Sequence, residues 1–391
     1  MINNTLYGHQ NVCFSKIYFV FHRISLSNCI IFIFLRNTRL FDMNFISHFF
    51  VNSFGIISLL ASIICLLISF PKGIKLRSIL LLISAFGLFF FIKFDSVILF
   101  SLFVIYVSRT ISFDYILKVI KRTIIGVLVF VLLLTMFGVL KDDVFLREEL
   151  IITTKKYYAH SLGFLYYSAP AYALMCLTII YVYENRRKLT LAIISITLLI
   201  SYINYIVFVT RIAFIVPILF MVGYLILNKY RKFCFSGKQW KWIAILLYPT
   251  LMLLNYFVFS NVAYSYIFEN DFLNLLFKSR FLLNAKAFEI YELNLWGNKI
   301  ENVLNDETEY FFIDSGYVSS LIQYGFVFSM LVMIYYSYLF YNIYKSKNGY
   351  LYLWMLIFSV VNIINGFLIS IVYNPIILLS HALLSHKLNK K

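Results

Sequence analysis

Charge is scarce in this chain, and acid scarcest. Of 391 residues only 17 are Asp or Glu against 34 Lys or Arg, and charged residues together make up 13%. With 62% hydrophobic and 20% aromatic residues, too little polar surface is left to enclose a soluble globule of this length. A formal charge of +17 would suit nucleic acid. The basic residues nevertheless come as short clusters between long apolar runs, which is what membrane orientation requires, so no nucleic acid partner is expected. Paired cysteines are also missing: Cys13, Cys29, Cys65, Cys176 and Cys234 stand singly and give neither a disulfide framework nor a structural zinc. The six histidines are scattered, and HExxH, Walker and Gly-rich phosphate motifs are lacking. That disfavours a soluble-type ATPase or a metalloprotease, and neither a metal nor a cofactor is expected.

What is present is a succession of apolar runs. After Met43 they fall at about 49–70, 78–92, 95–108, 119–140, 160–183, 189–209, 212–228, 242–260, 313–344, 350–368 and 370–386. A membrane-crossing helix needs ~20 residues, so the two short runs within 78–108 must tilt or be capped by interfacial aromatics. The expected fold is all-α, a polytopic transmembrane bundle of eleven spans, or twelve with the run from Ile17 to Leu35. His22, Arg23 and Asn28 interrupt that run, so residues 1–42 form a weak N-terminal segment, either an extra span or residues ahead of a start at Met43. Residues 43–391 make a single integral membrane domain.

Orientation follows from the loops. The set 71–77, 109–122, 184–188, 229–241, 345–349 and the tail from 387 holds twenty Lys and Arg against Asp114 and Glu184 alone, while the alternate set holds ten bases and fourteen acids. The positive-inside rule makes the first set cytoplasmic. Two outer loops stand apart. Residues 141–159 carry four charges of each sign, and 261–312, the one long extracytoplasmic loop, carries eight acids and four bases. Within it Phe277, Phe281, Leu282, Ala285 and Phe288 recur at helical spacing, predicting an amphipathic helix over about Lys278–Tyr291 that lies on the membrane surface or caps the bundle.

Several residues at this outer face could carry chemistry. Arg211 sits between two apolar runs with almost no loop, where a guanidinium costs several kcal/mol unless it is paired or snorkels. Arg280, two residues after Lys278, offers a planar fork suited to phosphate oxygens, or else belongs to a solvated face paired with Asp271 or Glu289. Asp314 precedes an apolar helix and either caps it at Gly316 or Tyr317 or acts as a general base toward a hydroxyl. Tyr317 and Tyr324 suit a membrane belt or stacking on sugars. His160 is either a hydrogen-bonded interfacial residue or a catalyst. Gly163 and Pro170 predict a break or kink in the span that follows.

Three stretches taken together resemble the Wzy-type polymerases of O-antigen, capsular and exopolysaccharide assembly. They are His160-Ser161-Leu162-Gly163-Phe164; Ser279-Arg280 with Asn294-Leu295-Trp296-Gly297; and Asp314-Ser315-Gly316-Tyr317 followed by Leu321, Tyr324 and Gly325. The family often has a basic residue before the first motif, a Pro-Asn after it, and a serine or glycine before the outer-turn arginine. Here Ala159, Ala169-Pro170-Ala171 and Thr210 stand in those places. The resemblance implies transfer of a growing glycan from an undecaprenyl diphosphate carrier onto the next lipid-linked oligosaccharide repeat unit, at the outer leaflet of a bacterial cytoplasmic membrane. It implies Arg211, Arg280 and Lys278 on the diphosphate, Tyr317 and Trp296 against sugar, and a base among Asp314, His160 and Glu289. A chain-length regulator and a flippase of the same pathway would be its partners. An O-antigen ligase uses the same donor and a similar long loop, so it stays open as an alternative. A polysaccharide flippase or transporter is the rival of another class, although transporter sites usually sit at the midplane between two similar halves.

Overall fold

In lipid the outward face of a helix is its apolar one, and polar side chains turn toward other helices. The helix Leu191–Phe208 follows that rule: Thr197, Ser201 and Asn204 are buried, while Leu198, Leu199, Ile203 and Ile206 are exposed. The described residues of the computed structural model are 3–69, 96–109, 111–148, 156–230, 235, 237–260, 280–300 and 313–379. In chain order they form α1 (Asn3–Arg36), α2 (Arg39–Asp42), α3 (Phe45–Ser69), α4 (Ser96–Ser108), α5 (Phe113–Met136), β1 (Val144–Glu148), β2 (Lys156–His160) and α6 (Ser168–Glu184). There follow α7 (Leu191–Phe208), α8 (Arg211–Lys229), α9 (Lys238–Ser260), α10 (Arg280–Ile290), α11 (Gly316–Gln323), α12 (Gly325–Lys345) and α13 (Gly349–Val361). Among the described residues seven helices are long and apolar enough to cross a membrane, and α4 and α13 are shorter apolar ones. The chain is an all-α, multi-pass membrane bundle; the expected run at 78–92 lies outside the described residues.

The N-terminal run is integral to this bundle. Leu26, Cys29, Ile30, Phe32, Phe34 and Leu35 of α1 are buried in the main core, and of its interrupting polar residues His22 turns inward. His22 Nε2 lies 2.9 Å from Ser108 Oγ, and Ser25 Oγ lies 2.6 Å from Ser62 Oγ.

Three runs depart from the single spans that composition predicts. The run 160–183 becomes a helix only at Ser168, because residues up to His160 pair as β2 with β1, in antiparallel register from Val144↔His160 to Glu148↔Lys156. Pro170 falls in the first turn of α6, where a missing N–H costs nothing, so it starts the helix instead of kinking it. The run 313–344 breaks at Tyr324 into α11 and α12. Finally, α13 stops at Val361, and the chain continues to Leu379 without an α-helix, apart from a 3-10 turn at Pro375–Leu378.

That last segment is buried: Phe367, Leu368, Ile371, Val372 and Ile376 are almost wholly enclosed. Irregular backbone at membrane depth is tolerated only where other groups satisfy it. Here side chains and main chain from neighbouring helices do so. Tyr336 and Tyr335, at the middle of α12, donate to Leu368 O and Ile377 O, each at 2.5 Å. The amide of Gly316 donates to Asn362 O at 2.9 Å and Asn365 O at 3.1 Å. Tyr335 and Tyr336 therefore serve as buried donors to this segment.

Asn294-Leu295-Trp296-Gly297 docks by main chain on the break between α11 and α12. Phe326 N donates to Asn294 O (3.0 Å), Val327 N to Leu295 O (3.2 Å) and Asn298 N to Ile322 O (2.8 Å). Gly297 (φ 84) and Gly325 (φ 85) face each other so closely that a Cβ on Gly297 would collide with Gln323 O, and one on Gly325 with Gly297 N. Gly126 in α5, by contrast, has open space around it. We expect Gly297→Ala and Gly325→Ala each to destabilise the detergent-solubilised protein by about 2 kcal/mol or more, from left-handed strain plus collision. Gly126→Ala should stabilise by up to ~1 kcal/mol through helix propensity. Thermal unfolding of the three variants checks this, and unchanged melting of both loop variants would contradict it.

Candidate functional site

Arg280 opens α10 and Asp314 lies just ahead of α11, and the two side chains meet, with Arg280 Nε 3.6 Å from Asp314 Oδ2. Each side chain is about one-fifth exposed. Arg280 Nη1 also donates to Ile364 O at 2.7 Å and to Asn365 Oδ1 at 2.9 Å. The guanidinium thus ties α10 to the irregular segment after α13. Of the two acids expected beside it, Asp271 lies outside the described residues and Glu289 is not its partner. Glu289 is exposed and, nine residues on from Arg280, projects about half a turn round the helix.

Asp314 is not the helix cap. Ser315 is: its Oγ accepts from Val318 N at 3.4 Å and donates to Asn255 Oδ1 at 3.3 Å, and its amide donates to Asn284 Oδ1 at 3.2 Å. The carboxylate one position earlier is left for Arg280. On α10, Phe281, Ala285 and Phe288 of the face that hydrophobic spacing predicts pack on a core cluster, while Leu282 is 44% exposed and the fully buried residues are Asn284 and Ala287. Tyr317 is wholly buried, its hydroxyl donates to Ser359 O at 3.0 Å, and its ring lies against Tyr248, which leaves no face for a sugar. Trp296 is 41% exposed on the docked loop. Lys278 lies outside the described residues.

Around Ser315 and Gly316 several buried amide groups lack partners among the described residues: both polar atoms of the Asn362 side chain, Nδ2 of Asn284 and Nδ2 of Asn365. A buried polar group left unbonded costs about 1–3 kcal/mol, so this cluster has capacity for a hydrogen-bonding guest. Two asparagines three apart in an otherwise apolar run, Asn362 and Asn365, were the sequence signal for it.

The second part of the site is the His160 segment. Asp142 Oδ2 lies 2.7 Å from His160 Nδ1, and Asp142 Oδ1 accepts from Leu162 N at 2.7 Å. The main chain turns left-handed at Leu162 (φ 50) and Gly163 (φ 83), and a Cβ on Gly163 would strike Thr135 Oγ1. Neighbouring Asp143 pairs with Arg39, and Gly163 O accepts from Arg39 N. A carboxylate on Nδ1 fixes the imidazole orientation and directs Nε2 outward as a proton acceptor. Spacing alone could not reveal Asp142 as this partner, since the hairpin that brings it back is a tertiary feature.

Arg211 follows a two-residue turn in which Val209 is left-handed (φ 50), a rare conformation for a β-branched residue. Thr210 does not cap α8; its hydroxyl donates to Phe208 O at 3.0 Å. Ring contacts of Tyr224 with Tyr350 and of Phe220 with Trp354 and Phe358 set α8 antiparallel to α13, so Arg211 shares an end of the bundle with Asn362–Asn365. The link Tyr172 OH to Asn365 Oδ1 (3.1 Å) brings the start of α6 to the same end, and β2 packs on α7. Arg211, Arg280, Asp314 and the His160–Asp142 pair thus lie at one end. No group of His, Cys, Asp and Glu among the described residues is arranged to hold a metal.

No protein-family model, curated protein or solved structure matches this chain.

If Asp142 holds the turn, Asp142→Ala should speed amide hydrogen exchange at Leu162 several-fold, reflecting on the order of 1 kcal/mol of lost hydrogen bonding, whereas His160→Ala should not. Equal exchange in Asp142→Ala and the wild type would contradict that role.

Proposed function

We propose that this protein is a polysaccharide repeat-unit polymerase of the Wzy type, acting on undecaprenyl diphosphate-linked oligosaccharides at the outer leaflet. The observation that supports it is the meeting, at one end of a membrane bundle, of the stretches on which the resemblance rests. Arg280 contacts Asp314, and Asn294 O and Leu295 O of the loop accept from Phe326 N and Val327 N just past the Tyr324–Gly325 break. In this reading the acceptor hydroxyl attacks the anomeric carbon of the donor glycan and its proton passes to Nε2 of His160, oriented by Asp142. The bond from that carbon to the diphosphate oxygen breaks, and undecaprenyl diphosphate leaves with the electron pair. The proton returns to water.

Arg211 serves the departing diphosphate, because it opens α8 and its guanidinium acts together with N-terminal amides that Thr210 leaves uncapped. Arg280, committed to Asp314 and to the chain at Ile364, chiefly holds the site together, with the nearby asparagine amides and exposed Trp296 available to sugar hydroxyls and rings. Among the three candidate bases, His160 has an orienting partner, Asp314 is held by Arg280, and Glu289 points away.

In cells carrying His160→Ala we expect at least ~10²-fold less long glycan with normal protein abundance and single repeats still made. Arg211→Lys should retain partial activity, since charge persists and the bidentate fork is lost. Glycan size profiles read both, and wild-type polymer from His160→Ala would overturn the assignment of the base.

A further inference from the structure

At the opposite, basic end of the bundle a cavity of about 470 Å³ opens between α1, α3 and α5. Its rim carries Arg23, Lys118 and Arg122, all exposed and none with a carboxylate partner among the described residues. Lys121 on the same helix turns away to Glu184. Below the cations two hydroxyls line the cavity, Ser27 and Thr123, 3.3 Å apart. Beyond them the walls are apolar, from Ile31 and Val127 down to Leu35, Phe50 and Phe130. Gly126 leaves the floor open, with nothing within 4 Å of where a Cβ would stand.

The order of these layers is that of a phospholipid in one leaflet. The contact of His22 with Ser108, just ahead of Arg109, places Arg23 at the membrane boundary of this end. From Arg23 to Leu35, and from Lys118 to Phe130, is twelve residues, ~18 Å of helix rise, close to the ~15 Å depth of a single leaflet of hydrocarbon. We propose that this groove is a binding site for one anionic glycerophospholipid, whose phosphate meets Arg23, Lys118 and Arg122, whose ester region meets Ser27 and Thr123, and whose acyl chain fills the apolar floor. Guanidinium forks suit phosphate oxygens, and unpaired cations at a membrane boundary attract anionic headgroups. A polyprenyl chain, several times longer than a leaflet is deep, exceeds this ~18 Å length.

Native mass spectrometry of the full-length protein in detergent, titrated with dioleoyl phosphatidylglycerol, tests the site, with dioleoyl phosphatidylcholine as the zwitterionic control. We expect one saturable phosphatidylglycerol adduct, weakened about a hundredfold when Arg23→Gln, Lys118→Gln and Arg122→Gln are combined. Gly126→Leu, which fills the floor without changing charge, should also lose the adduct while melting no lower than the wild type. Equal adducts of both lipids, or phosphatidylglycerol binding unchanged in either variant, would overturn the proposal. Displacement of phosphatidylglycerol by an equimolar polyprenyl phosphate would overturn the choice of lipid.

Discussion

The structure depends on satisfying the main chain of residues 362–379 inside an apolar bundle. A helix bonds its own backbone, but after Val361 the chain gives that up, and donors must come from elsewhere. Tyr335 and Tyr336 reach it from α12, Gly316 from the start of α11 and Arg280 from the long loop. Each donor sits on an element otherwise distant in sequence. The irregular segment therefore gathers α10, α11 and α12 around itself, and two of its donors, Arg280 and the Gly316 amide, belong to the candidate site. This accounts for an arginine and several asparagines among so many apolar side chains.

Helical spans were legible in the sequence because runs of apolar residues near membrane thickness leave few other options. The departures share one cause, that composition reports burial and not backbone conformation. The stretch 362–379 is as apolar as a span, and donors from other elements, among them Tyr335 and Tyr336, make a different conformation possible. The same holds for the candidate residues. Hydropathy drew attention to Asp314, yet which of two adjacent residues caps a helix is decided by contacts, and Ser315 has them. The spacing of Phe281, Leu282 and Phe288 suggested one face of α10; Phe281 and Phe288 do pack inward, but spacing does not report the polar contacts that Arg280 and Asn284 add. Asp142 reached His160 through a hairpin that an all-helical reading omits.

Backbone strain is distributed in keeping with this arrangement. Leu162 and Val209 adopt left-handed conformations beside His160 and Arg211, and such residues cost about 1–3 kcal/mol unless surroundings hold them. Asp142 holds the first through the Leu162 amide. The two ends of the molecule then divide the work. The His160–Asp142 pair and the unbonded amides lie at one, while the other carries, over an apolar groove, cations with no carboxylate partner among the described residues, suited to anchoring in lipid.

The most direct measurement is product analysis with purified protein reconstituted in vesicles and supplied only with undecaprenyl diphosphate-linked repeat units from the native strain. The account predicts lipid-linked chains of many repeats, with one undecaprenyl diphosphate released for each repeat joined and no requirement for a nucleotide sugar. Unchanged single repeats alongside transport of the same lipid across the vesicle membrane would contradict it.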